Sequence, residues 1–159
     1  MCLEVLKMNE LSLISMQIEA AKEELRCCED LNRLYGLTLT EADITELVQL
    51  RSEALKSSCR VEFGGGILPK LIRAFCKSPY VDQQNYAAVL GDLQEAFYYF
   101  KNESEDRFSD DDLIEFMAAV FHGRAEGSTE LLCTISLEEL CRWARNPDLD
   151  RYADEEDFF

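Results

Sequence analysis

The sequence predicts a single all-α domain: a bundle of five to six helices with a long N-terminal helical hairpin and a short acidic C-terminal tail. Three observations carry that expectation. Helix-start boxes recur along the chain. Apolar residues step by three and four instead of two. Strand-like alternation is confined to "CRVEF", residues 59–63, which is too short to stand as a strand.

In the first segment Ile14, Ile18, Ala21, Leu25 and Cys28 step by four and three, the spacing of one helical face. "YGLT" interrupts it, with Gly36 suited to a left-handed cap. "TEAD", Thr40–Asp43, then opens a helix over about 41–57 that offers Ile44, Leu47, Val48 and Leu55. The short connection favours an antiparallel hairpin, and a second copy of the chain on the same seam would give a homodimer. After a glycine run, Pro69 fits a first helical turn, and Ile67, Leu71, Ile72 and Phe75 share a face. Asp82 with Asn85 marks another start, followed by the cleanest stripe of the chain: Tyr86, Val89, Leu90, Leu93, Phe97 and Phe100. "SDDD", Ser109–Asp112, introduces a helix from Leu113 to Phe121 that ends near Gly123. "SLEE", Ser136–Glu139, introduces the last, Leu137 to Trp143, before Pro147. Leu71 and Phe97 lie mid-stripe and are expected in the core. Residues 1–147 form the helical domain, and residues 148–159, with six acids against Arg151 and a final Phe158-Phe159, form the tail.

Composition narrows the function. With 32 acidic and 16 basic residues the net charge is −16. That disfavours nucleic acid and anionic membrane surfaces, which need a basic face. No run approaches the roughly 18 to 20 apolar residues of a membrane span. Glu4, Lys7 and Glu10 interrupt what a signal peptide would keep apolar, so a cytoplasmic location is expected. Seven cysteines without a C-x-x-C pair, beside the single His122, give no Cys/His zinc set, and neither metal nor cofactor is expected. Most of the cysteines are expected as small buried hydrophobes.

The strongest candidate for chemistry is "FGGGILPKLIRAFCK". Gly64, Gly65 and Gly66 allow backbone to approach a ligand, and a helix start offers amides and partial positive charge to an anion. Lys70, Arg73 and Lys77 fall on one face, and residues 60–81 carry four basic residues against Glu62 alone. The spacing matches neither G-x-x-x-x-G-K-[ST] nor G-x-G-x-x-G, and the plainer reading is a flexible turn whose basic helix face is neutralised by acidic neighbours. The acidic segment 102–116 fails the calcium-loop pattern in either register: starting at Asn102 puts Arg107 where glycine is required, and aligning Phe108 as the apolar position puts Lys101 first. His122 beside Gly123 is placed to meet the last carbonyls of its helix and has no catalytic motif around it. Tyr98 and Tyr99 spread aromatic surface beyond one face, either as a thick core or as an interface patch.

Residues 51–117 contain R-x-E-A-L, E-F-G-G-G-I, A-F-C-x-S-P-Y and F-Y-Y-F-K-N-E segments in that order. In these the chain resembles an uncharacterised family of bacterial cytoplasmic proteins, chiefly from clostridial-type Firmicutes. "YGLTLT" and "SLEEL" also fit, so the resemblance covers most of the chain. It implies a bacterial, cytoplasmic origin, no activity and no catalytic residue. Two function classes follow from the residues. The first is a helical interaction module, an adaptor or subunit partner, whose partner is another protein and for which a homodimer is open. The second is an anion- or phosphometabolite-binding protein or enzyme centred on the Gly64–Gly66 turn.

Overall fold

A computed structural model describes residues 15–62 and 66–145, and every regular element among them is helical. In chain order these are α1 (residues 15–26), α2 (Glu29–Leu34), α3 (Glu41–Ser57), α4 (Leu68–Phe75), α5 (Tyr86–Glu103), α6 (Asp110–His122), α7 (Thr129–Cys133) and α8 (Leu137–Arg145). The all-α expectation holds. The additional segments are the short α2 and α7. Ile14 and the tail 148–159 lie outside the described residues.

The helix starts follow the chemistry of their boxes. Thr40 Oγ1 accepts from the Asp43 amide and Asp43 Oδ2 accepts from the Thr40 amide, a reciprocal capping box. Ser109 accepts from the Asp112 amide and Ser136 from the Glu139 amide. Asp82 and Asn85 exchange side-chain to backbone bonds of 2.8 and 2.9 Å just ahead of α5. Gly36 adopts φ +71 after α2.

The first helical segment breaks earlier than its apolar stripe suggests. The Cys28 amide bonds to the Leu25 carbonyl, a tightened turn, and α2 restarts at Glu29. The offset turns Asn32 inward, where it is 1% exposed and its Oδ1 accepts from the Tyr86 hydroxyl at 2.5 Å. A partner 54 residues away therefore sets the local register. Arg26 closes the hairpin by bridging Glu41 at the start of α3, at 2.9 Å.

The long α5 is the centre of the molecule, in contact with α3, α4, α6 and α7. Nine of its 18 residues are buried, more than one narrow stripe supplies, and this lets a single helix serve several neighbours. Leu71 and Phe97 are both fully buried. Phe100, Phe116 and Trp143 meet edge to face and carry the core from α5 through α6 to α8. The cysteines depart from expectation. Of the six described, Cys76 alone is buried, while Cys27, Cys59 and Cys133 are exposed. They occupy turns and helix ends, where no core is available to take them.

Candidate functional site

The glycine turn is built around α3. Gly64 and Gly65 lie outside the described residues, whereas Gly66 is described, with φ +55. A Cβ on Gly66 would stand 2.5 Å from Arg51 Nη2 and 2.8 Å from its Cζ, so glycine is required by a guanidinium already present. Arg51 is 5% exposed and faces Glu62 Oε2 at 3.5 Å, and the same oxygen accepts from the Tyr98 hydroxyl at 2.6 Å. Burial, reinforced by that bond to Glu62, pushes the Tyr98 hydroxyl well above its ordinary pKa.

The basic face of α4 divides between neighbours. Lys70 reaches Asp111 in the first turn of α6 at 2.8 Å, and its ammonium holds the Asp111 carboxyl below the usual range. Arg73 bonds its own helix at Pro69 O, 3.4 Å away, and lines a shallow cleft with Glu24, Cys28 and Leu31. Lys77 is exposed. The acids of segment 102–112 have similar structural uses. Asp106 meets Arg60, just beyond α3, at 2.7 Å, and Asp110 meets Lys101 of α5 at 2.9 Å, which ties the loop to its neighbours at both ends.

His122 does meet its own helix, its Nδ1 lying 2.8 Å from Ala118 O. Its Nε2 lies 2.8 Å from Ser78 Oγ, a pairing across 44 residues that the sequence does not announce. Ser78 is 7% exposed, and Phe75, Tyr80 and Phe121 all pack around the imidazole. The group that orients the ring is a backbone carbonyl in place of a carboxylate. The pair thus fastens the α4–α5 connection to α6.

A further concave surface lies elsewhere among the described residues, between α3 and α5. It is a groove of about 980 Å³. Its α3 wall is Asp43, Glu46, Leu47, Leu50, Glu53, Ala54 and Ser57, which share one helical face. Its α5 wall includes Ala87, Ala88, Gly91, Asp92, Glu95, Tyr98 and Tyr99. The floor is apolar and small: Leu47, Leu50, Ala54, Ala87, Ala88 and Gly91. The rim holds five carboxylates and the lining contains no cationic side chain. Asp43 and Asp92 accept from Thr40 and Thr129, whereas Glu46, Glu53 and Glu95 have no hydrogen bond or ion pair among the described residues. Gln94 also lines the groove and is 1% exposed. Its Nε2 donates to Leu47 O at 3.3 Å, but its Oε1 receives no hydrogen bond among the described residues.

Both tyrosines singled out in the sequence reach this groove in different ways. Tyr98 is 3% exposed and its hydroxyl is engaged with Glu62, so it supports the wall from within. Tyr99 is 49% exposed and edges onto Phe100, presenting an aromatic face to solvent. The remaining groove residues were missed. Their signal was the three-and-four spacing of small and acidic residues on α3 and α5, which reads equally well as a solvated face until the two helices are seen side by side.

Searches of curated proteins and of solved structures returned no match to the chain. One family profile does match, over residues 24–149, from the end of α1 to beyond α8. That span takes in both walls of the groove and the glycine turn, and on it the chain belongs to a family of unknown function, DUF6323.

Proposed function

We propose that the protein is a helical interaction module, an adaptor or subunit partner, that receives a segment of another protein in the groove between α3 and α5. The observation that supports this reading is the groove itself. An apolar floor of leucines and small residues lies between two helices of 17 and 18 residues, with an exposed Tyr99 in its lining and an acidic border. Small side chains let a helix or strand approach closely, and an apolar floor inside a polar rim is the anatomy of a protein interface. A cytoplasmic setting suits the free cysteines of the described chain, since thiols persist in a reducing compartment.

The anion-binding alternative has less support in the geometry. Lys70 and Arg73 turn to different neighbours, and Gly66 accommodates Arg51. A peptide-display selection on the whole protein tests the interaction reading, with an Ala88→Trp variant as counter-target. Ala88 is exposed, so a tryptophan there fills the groove without entering the core. Enriched peptides should bind the wild-type chain and not Ala88→Trp. Peptides indifferent to that change, or no enrichment, would contradict the proposal.

A further inference from the structure

Building on that reading, we infer that the occupant of the groove is a basic amphipathic helix of about four turns belonging to another protein. Length comes first. The lining runs from Asp43 to Ser57 on α3 and from Gln84 to Asn102 on α5, which at about 1.5 Å per residue is roughly 21 to 27 Å. A helix of about 14 to 18 residues spans that distance, and its apolar positions at i, i+3, i+4 and i+7 would meet Leu47, Leu50, Ala54, Ala88 and Gly91.

Charge then specifies the rest. Glu46 and Glu53 border one wall and Asp92 and Glu95 the other, so an occupant is flanked by carboxylates on both sides. Three of the rim acids have no partner among the described residues, and the lining supplies no cation to them. Lysine or arginine on both flanks of a docked helix answers that pattern.

The chain's own material fits poorly. Residues 148–159 carry six acids, residues 1–14 carry Glu4 and Glu10 against Lys7, and a second copy brings a further net charge of −16 to an acidic rim. A heterologous basic partner is the complement that remains.

The experiment uses the full chain and three synthetic 18-residue helical peptides with one leucine-rich face and flanks of lysine, glutamine or glutamate. Binding is measured by fluorescence anisotropy at low and physiological salt. The lysine peptide should bind about tenfold tighter than the glutamine peptide, an advantage of the size several rim charge pairs supply, and the advantage should shrink as salt screens it. Ala88→Trp should abolish binding, and the triple variant Glu46→Lys, Glu53→Lys, Glu95→Lys should transfer preference to the glutamate peptide. Equal binding of all three peptides in the groove overturns the basic-helix inference while leaving the interaction reading intact. A lysine preference that persists in the triple variant overturns it as well, because the attraction then comes from the chain's overall charge. An Ala88→Trp-sensitive homodimer in sedimentation, or a gain in affinity for every peptide on removing residues 1–14, assigns the groove to the chain itself and overturns it. Loss of the display-selected ligands too would mark failure of the interaction reading.

Discussion

Replacing Gly66 by alanine should destabilise the protein by about 2 to 4 kcal/mol, and the structure divides that cost into two parts. Gly66 has φ +55, a conformation that costs an L-residue roughly 1 to 2 kcal/mol. The new methyl would also stand 2.5 Å from Arg51 Nη2 and 2.7 Å from Nε. A guanidinium at the surface would swing away cheaply, but this one is 5% exposed and faces Glu62, which in turn holds Tyr98. Breaking a fully buried pair costs about 3 to 5 kcal/mol, and Glu62 at 25% side-chain exposure retains enough water to reduce that to about 1 to 2. Urea denaturation of four proteins reads the division: wild type, Gly66→Ala, Arg51→Met and the double variant. With the guanidinium gone, the glycine substitution should cost the left-handed contribution alone, so the two changes should be coupled by about 1 to 2 kcal/mol. A Gly66→Ala cost under 1 kcal/mol, or the same cost with and without Arg51, would refute the claim that the glycine accommodates this arginine.

Gly91→Ala should behave oppositely and leave stability unchanged or raise it by up to about 1 kcal/mol in the same assay. Its new methyl would lie 3.4 Å from Leu50 and 3.9 Å from Leu47, ordinary contact inside a helix. Leu71→Ala and Phe97→Ala should each cost about 2 to 5 kcal/mol, since both side chains are fully buried, and a loss under 1 kcal/mol at both would contradict the core assignment. Burial raises the hydroxyl pKa of both Tyr86 and Tyr98. A folded-state pKa above the unfolded value of about 10 contributes stability that is complete below that pH and falls as pH climbs through it. Ultraviolet titration should accordingly show these two tyrosines ionising only as the chain unfolds in alkali.

Much of the fold was readable because its signals are local. The Thr40 capping box, the Ser109 cap and the α5 stripe each depend on residues within a turn or two of one another. The break at Cys28 was not readable, because it serves a hydrogen bond between Asn32 and Tyr86 that exists only after α2 docks. The glycine run pointed to a special backbone position, and Gly66 provides one, but its cause is Arg51, a residue that the linear sequence places on a different helix. Tyr98 and Tyr99 diverge by about 100° on α5, and what turns Tyr98 inward is its bond to Glu62, a residue on another segment of the chain. The groove stayed hidden for a simpler reason. Neither wall is distinctive alone, and the pattern of apolar floor and acidic rim arises from α3 lying beside α5.

The α3–α5 groove is the surface proposed to meet a partner. An amide-resolved NMR titration of the isotopically labelled chain with the lysine-flanked peptide tests it most directly, with inorganic phosphate as a parallel titrant. Saturable shifts are expected at Leu47, Leu50, Gly91, Gln94 and Tyr99, with no saturable response to phosphate along residues 66–73. Peptide additions that leave the groove amides unmoved, together with saturable phosphate shifts from Gly66 to Arg73, would contradict it and return the function to the glycine turn.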